Sequence, residues 1–492
     1  MMNPTLASDQ MRDALNETRT QAKSWAALSV KARCVRLAHL RELLARDAGL
    51  LAQIVTEEIG KPPQESYGAD ILPSIDSLEW LCKTAPKHLR DDATKAGTMS
   101  ALPLGIVGVI GTWNYPVFLN ITPIAWALAA GNGVLWKPSE FAEKTAGLLE
   151  TYFEEADLPV TVLYGGGDMG QELCRAGVDK ICFTGGVSTG RAILKTLAET
   201  GTPSVMELSG NDAMLVLEDA DPLLAAKSAV WGRCCNAGQS CVAPQRIYVH
   251  ETHYDRFLSL CLKEIELLRP DVDIVAMRTE ALRNRVHRIV SESLSQGARA
   301  VTGKNASSEM DCFYPPTLLA ECEETMPVMA EDFFGPVLAV CSVKSDAEAI
   351  EKANAAEMAL AASVWTGNRV HGGRVAQQLR VGIVSINEVL IDAADPEIAF
   401  GGLRSSGFGK QRGVAGLEEF VVWKTITYRK ERKLRRHLFP YLPGTPEILH
   451  ALIGIRTAKT PKEKVAAGMA MTRAVIKSRK RNYPQINTEN TD

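Results

Sequence analysis

From about residue 10 to residue 95 the apolar positions recur three and four residues apart, as in ARCVRLAHLRELLARDAGLLAQIVTEEIG, a spacing that predicts helices. The pattern closes at Gly60, and Pro62 and Pro63 follow it. From Leu104 the period changes. LGIVGVIGTW is a short β-branched run ended by turn residues, NITPIAWALAAG returns to helical spacing, and GVLWKPSE is a second apolar run. The alternation continues through AEKTAGLLETYFEEA, VTVLYGGG, MGQELCRAG, KICFTGG, TGRAILKTLAET and SVMELSG. A second alternating series runs from about Ala213 to Asn387, with strands such as RIYVHE and PVLAVCSV and the helix DRFLSLCLKEIELLR. Repeated strand and helix of this length predict an α/β fold, with parallel sheets covered by helices in two domains and a cleft between them. No repeat of fixed period is present.

A chain of 492 residues is too long for one hydrophobic core. Its 46% hydrophobic and 23% charged residues are those of an ordinary globular protein, which excludes fibrous and disordered classes. The eleven cysteines are odd in number and include the adjacent pair Cys234 and Cys235, a poor layout for a disulfide framework. Reduced thiols in a cytoplasmic protein are expected. The N-terminus does not read as a secretory signal, and no apolar run approaches the length of about 18 residues that spans a membrane.

The net charge of −3 hides an asymmetry. Residues 429–481 hold fifteen Lys or Arg against three Glu, and residues 1–428 carry −13. An acidic body with a basic tail results, and no nucleic-acid partner is expected. Lys and Arg clusters beside amphipathic segments bind anionic lipid, each contributing up to about 1 kcal/mol. The expectation for residues 431–492 is a basic extension making peripheral membrane contact, with a merely solvated tail as the alternative.

Two glycine turns suggest a dinucleotide site. Gly165-Gly166-Gly167-Asp168-Met169-Gly170 fits G-x-G-x-x-G between a strand and a helix, where backbone N–H groups and the helix dipole meet a pyrophosphate. A plain turn joining two elements explains it as well. Phe183-Thr184-Gly185-Gly186-Val187-Ser188-Thr189-Gly190 follows the next strand along the chain. Cys241 ends the small-residue stretch Cys234-Cys235-Asn236-Ala237-Gly238-Gln239-Ser240-Cys241. A nucleophilic thiol needs an environment that favours the thiolate, and nothing local to Cys241 supplies a cation.

What singles Cys241 out is a set of motifs in order. Pro103-Leu104-Gly105, Gly111-Thr112-Trp113-Asn114-Tyr115-Pro116, Lys137-Pro138-Ser139-Glu140, Phe183-Thr184-Gly185, Glu207-Leu208-Ser209-Gly210, Gly238-Gln239-Ser240-Cys241, Glu331-Asp332-Phe333-Phe334-Gly335-Pro336 and Phe400-Gly401-Gly402 with Ser406-Gly407 closely resemble the aldehyde dehydrogenase superfamily. The likeness covers roughly residues 30 to 430, and its wording is nearest to the fatty and aromatic aldehyde dehydrogenases. Three departures stand out: ELSG where the family commonly has ELGG, FTGG for FTGS, and Ala399 where Pro usually precedes Phe-Gly-Gly. None removes a reactive group.

The resemblance implies a Rossmann-type cofactor domain (residues 1–84 and 104–208), an α/β catalytic domain (209–398) and bridging β segments (85–103 and 412–430) that build a homodimer or homotetramer. It implies oxidation of an aldehyde, long-chain or otherwise lipophilic, to the acid with NAD; NADP is the alternative. Cys241 would be the nucleophile, Asn114 the oxyanion donor and Glu207 the general base. Lys137 and Glu140 would hold the adenosine ribose, Glu331 the nicotinamide ribose, and Phe333 would pack beside the nicotinamide. Trp113, Gly185, Gly186 and Gly190 would line the dinucleotide path, and no metal is called for. The rival readings are a CoA-acylating relative, against which Glu207 argues because such relatives typically lack the base, and a catalytically silent structural member, against which Cys241, Glu207 and Asn114 all argue. An unrelated cysteine hydrolase would need a His base, and the nearest, His250 and His253, lie at a strand end.

Overall fold

The helical stretch folds as Val30–Arg46 and Ala48–Ile59, with Ser29 accepting the Ala32 N–H at the first start and Gly60 closing the second at φ 91°. That left-handed closure costs a glycine no Cβ clash. The computed structural model describes residues 4–93, 97–303, 312–428, 441 and 444–479. They fall into two units, Met1–Ile426 and Thr427–Asp492.

The first unit is built on two large sheets. One runs Val160–Val162, Gly133–Lys137, Ile106–Ile110, Lys180–Gly185, Ser204–Leu208 and then the antiparallel Gly407–Phe408 at its edge. The five parallel strands thus lie in the order third, second, first, fourth, fifth, and the direction of winding reverses between Ile106–Ile110 and Lys180–Gly185. Such a reversal opens a crevice at the carboxyl ends of the strands. Ile106–Ile110 and Gly133–Lys137 are buried at every position, which is why both read as continuous apolar runs. Helix Phe118–Ala130 is likewise buried along its whole length. Its Trp126 stacks on Trp80 at 5.9 Å and donates through Nε1 to the Gly413 carbonyl at 3.1 Å, satisfying the one polar atom of a buried ring.

The second sheet orders Arg299–Ala300, Thr317–Ala320, Val337–Val343, Pro244–His250, Asp212–Val216, Ala361–Trp365 and Ile383–Ile386, parallel except for its first pair. A third, small sheet joins Asp92–Ala93 and Gly97–Pro103 to Val421–Thr427. The α/β architecture expected from the alternating pattern is the one observed. All eleven cysteines are free thiols.

In the second unit, helices Thr445–Thr457 and Pro461–Arg479 pack against each other. The densest basic run, RKERKLRRH, lies outside the described residues. No helix among the described residues is long and apolar enough to cross a membrane.

Candidate active site

Helix Pro222–Cys234 ends in a turn whose residues Asn236, Ala237 and Gly238 are all left-handed (φ 52°, 53° and 74°). Two of the three carry a Cβ, at a cost of about 1–2 kcal/mol each. Hydrogen bonds from several elements hold the turn. The Asn236 N–H donates to Glu65 Oε2 (2.8 Å), Gln239 Nε2 donates to the Asn236 carbonyl (3.0 Å), and Gln239 Oε1 accepts the Arg278 N–H (2.8 Å). The turn delivers Cys241 into the wall of a cavity of about 810 Å³ lined largely by apolar side chains, among them Leu72, Phe118, Leu119, Trp231, Ile391 and Phe400. Gly210 packs against this segment so closely that a Cβ there would lie 2.4 Å from the Cys241 carbonyl oxygen, a close approach that only glycine permits.

Glu207, on the strand Ser204–Leu208, is 1% exposed, and neither carboxylate oxygen makes a hydrogen bond. The Cys241 thiol and the Thr184 hydroxyl lie beside it and both favour its ionised form. Burial outweighs them and raises the Glu207 pKa. The Cys241 thiol is itself pushed well above its ordinary value, by burial first and then by the Glu207 carboxylate. The two groups therefore compete for one negative charge. A third group joins them from far along the chain: Arg412, 2% exposed, lines the same cavity and favours the charged form of both. This is the cation absent from the sequence around Cys241, and only the folding of a distant segment brings it there.

Asn114 follows the strand Ile106–Ile110. Its Oδ1 accepts the Thr112 hydroxyl (2.9 Å) and its Nδ2 donates to the Gln239 carbonyl (3.0 Å), which fixes the orientation of the amide and leaves one N–H over. Its own carbonyl accepts from Asn236 Nδ2 at 3.1 Å, tying this turn to the one that carries Cys241. Cys241, Glu207 and Asn114 are thus joined through one cluster of contacts. No histidine lines the cavity among the described residues, and His250 instead faces Thr252.

The residues expected to hold a dinucleotide divide. Lys137 is 5% exposed at the end of its strand and its Nζ lies 3.0 Å from Glu140 Oε2. Gly186 precedes helix Val187–Thr200 with open space in front of it. A Cβ on Gly190 would strike Leu208 at 2.6 Å, so this glycine lets the helix pack on the sheet. A Cβ on Gly185 would strike the Phe183 ring at 2.5 Å. Trp113 meets Phe141 and Phe334 edge-on at 6.4 and 6.0 Å. The open space in front of Gly186 at a helix start, a Lys–Glu pair and aromatic faces at strand ends fit the phosphates, ribose and rings of a dinucleotide.

Two expectations change. Phe333 does not face the crevice: it is 5% exposed in the core of the second sheet, under the Arg233 guanidinium at 4.7 Å. Its neighbour Phe334 is the one beside Trp113, and two successive phenylalanines gave no sequence signal to choose between them. Glu331 is partly exposed and lies in surface ion pairs with Arg288 (2.8 Å) and Arg285 (3.8 Å), contacts weak enough to give way to a ribose hydroxyl. The two glycine turns, successive in sequence, are not neighbours in the sheet. The strands leading to them are three places apart, or about 14 Å at the usual strand spacing, too far to clasp one pyrophosphate.

Comparison with known proteins places these observations in a family. Residues 3–426 match the model of the aldehyde dehydrogenase family. The chain is 34% identical over 448 residues to a 4,4'-diapolycopene aldehyde oxidase of Methylomonas sp, covering 88% of this chain and 84% of that one. It is 30% identical to a succinate semialdehyde dehydrogenase of Escherichia coli, covering 86% and 94%. Among solved structures, a Mycobacterium tuberculosis aldehyde dehydrogenase complexed with NAD+ superimposes with a TM-score of 0.81 at 29% identity, covering 87% of this chain and 92% of that one.

Proposed function

Because the chain belongs to the aldehyde dehydrogenase family, we propose that it oxidises a lipophilic aldehyde to the carboxylic acid through a thioester on Cys241, with NAD as hydride acceptor. The observation that carries this reading is Cys241 in the wall of an 810 Å³, largely apolar cavity, with the buried Glu207 carboxyl beside it. The Cys241 proton passes to the Glu207 carboxylate, and the thiolate attacks the carbonyl carbon. The oxyanion of the resulting thiohemiacetal is met by the spare N–H of Asn114 and the backbone N–H of Cys241. One such donor is worth about 3 kcal/mol in the transition state. NAD, when bound, accepts the hydride that the collapsing thiohemiacetal expels. Glu207, having released its proton, then takes one from water, and hydroxide resolves the thioester into the acid and a free thiol.

The six-stranded sheet, with residues 1–84 and 104–208, is the cofactor-binding part in this reading, and residues 209–398 carry the nucleophile. Trp113, Lys137, Glu140 and Gly186 hold the dinucleotide, with Phe334 in the place expected of Phe333. The Glu140 carboxylate repels a 2′-phosphate and favours NAD over NADP. The lipophilic substrate is supported by the apolar lining and by the diapolycopene aldehyde that names one relative. The small sheet that includes Val421–Thr427 supplies edges through which a homo-oligomer forms, and the basic extension brings the protein, otherwise cytoplasmic, to anionic membranes.

NADH formation across short, long-chain, isoprenoid and semialdehyde substrates, with and without CoA, tests the proposal. Turnover of long-chain aldehydes without CoA is expected. No NADH with any aldehyde, or turnover only with CoA, overturns it. Liposome co-sedimentation of full-length protein and a form truncated after residue 428 tests the membrane contact, and equal binding by the two removes it.

A further inference from the structure

The charged groups that act on the Cys241 thiol are mostly ones that oppose a thiolate: the carboxylates of Glu207 and Asp212. Among the described residues the cation that acts on it is Arg412. The Arg412 guanidinium is packed between the rings of Phe118 (4.9 Å) and Phe400 (4.5 Å), and Nη2 donates to the Ala393 carbonyl. Nε and Nη1 are buried and have no hydrogen-bond partner. No carboxylate forms a contact ion pair with it among the described residues; Asp395, Glu207 and Cys241 reach it through space.

We propose that Arg412 is the charge-balancing residue of this site, a positioning residue whose guanidinium neutralises the single negative charge shared by Cys241 and Glu207 and so sustains the pair in the state from which the thiolate is drawn. This rests on the assignment of Cys241 as nucleophile. A buried guanidinium with unpaired donors is expensive, and an apolar side chain of similar volume between two phenylalanines would be the more stable choice. Packing alone therefore does not account for an arginine here. Nor does direct contact with a ligand, because Nε and Nη1 have no exposed surface. What remains is its field. The proton that leaves Sγ joins the Glu207 carboxylate, so the pair carries one negative charge before and after transfer. Burial by itself would favour the uncharged alternative, a protonated thiol beside a protonated carboxyl, which yields no nucleophile. The guanidinium stays charged throughout, although burial brings its pKa down to about 10.

The test is alkylation of the folded enzyme by iodoacetamide as a function of pH, read by mass spectrometry at the Cys241 peptide. Arg412→Met is expected to react about tenfold more slowly at neutral pH, its profile displaced upwards by about one unit. Arg412→Lys should recover most of the rate. A Met profile superimposed on the wild-type one overturns the proposal. Wild-type labelling that spares Cys241 and falls on other thiols overturns instead the choice of nucleophile, so the two failures are distinct. If the Met variant does not fold, Arg412→Gln carries the same comparison.

Discussion

Glu207 pairs with Gly407 across the antiparallel edge of the six-stranded sheet, so the proposed base is seated by a segment that also carries two other parts of the site. Gln411 in this segment donates to Thr184 Oγ1 at 2.9 Å, beside the Glu207 carboxyl, and Arg412 turns into the Cys241 cavity. A two-residue strand thus sets the base, its neighbour and the balancing charge in one register.

Removing the base without changing its shape separates the two halves of the reaction. Glu207→Gln lacks the acceptor for the Cys241 proton as well as the base for water, so the burst of about one NADH per site should slow. The turnover that follows should slow further, because the thiol can still ionise to solvent whereas the thioester then awaits a base. Steady-state turnover is expected to fall by about 10²–10⁴-fold. Rapid-mixing absorbance at the NADH band reads both phases, and a burst at the wild-type rate would remove Glu207 from the first step.

The acid side of the wild-type pH profile belongs to the same carboxyl. Burial raises its pKa, so turnover should begin to fall, as pH drops, above the ordinary carboxyl range of about 4.3. That limb should vanish from what activity Glu207→Gln retains, and an unchanged limb in the variant would move the titration to another group.

Stability should shift the opposite way. A carboxyl with a raised native pKa holds a proton that the unfolded chain has released, in the window between about 4.3 and the raised value. Native stability therefore falls as pH rises through that window, and the whole penalty is present above it. Glu207→Gln removes a buried charge with no hydrogen-bond partner, and should stabilise the protein by about 1–3 kcal/mol at mildly alkaline pH but not below pH of about 4. Thermal midpoints measured at the two pH values check this, and equal shifts at both would show that ionisation is not the cause.

Local chemistry made most of the elements legible. Gly60 ends its helix, fully buried parallel strands read as apolar runs, and the motifs that carry Cys241, Glu207 and Asn114 fold beside one another, Glu207 on a strand and the other two on turns. What could not be read is what depends on long-range placement. Arg412 acts on a thiol far from it in sequence, and helical or strand period says nothing of through-space charge. Phe333 and Phe334 differ only in which side of an irregular loop they face. Lys61 and Asp70 are 0% exposed, yet each looks like a surface charge in the sequence.

That buried pair makes a separate prediction. Lys61 Nζ lies 3.1 Å from Asp70 Oδ2 and 4.0 Å over the Tyr115 ring, while Asp70 Oδ1 accepts the Val117 and Phe118 N–H groups at 3.0 and 2.6 Å. Asp70 thereby caps the helix that follows the Asn114 turn. Asp70→Ala leaves a buried ammonium and two donors uncompensated, and should cost about 3–5 kcal/mol. Lys61→Met with Asp70→Leu should be less damaging than Asp70→Ala alone. Denaturation of the three proteins decides it, and a single variant as stable as wild type would show that the pair carries no such weight.

The cavity mouth carries the last prediction. Trp231 and Ile391 line it while remaining 46% and 59% exposed, large apolar surfaces that an elongated apolar substrate would cover. A tryptophan buries about 150–250 Å² when enclosed, so covering its exposed half, at about 25 cal/mol per Å², is worth about 2 kcal/mol. A chain long enough to reach it gains that term in both ground and transition states, whereas a two- or three-carbon aldehyde held near Cys241 does not. Trp231→Ser should therefore raise KM for long-chain aldehydes by about thirtyfold with kcat little changed, and leave short aldehydes unaffected. Loss of equal size for both lengths would mean that Trp231 acts on the fold around helix Pro222–Cys234 rather than on the substrate chain.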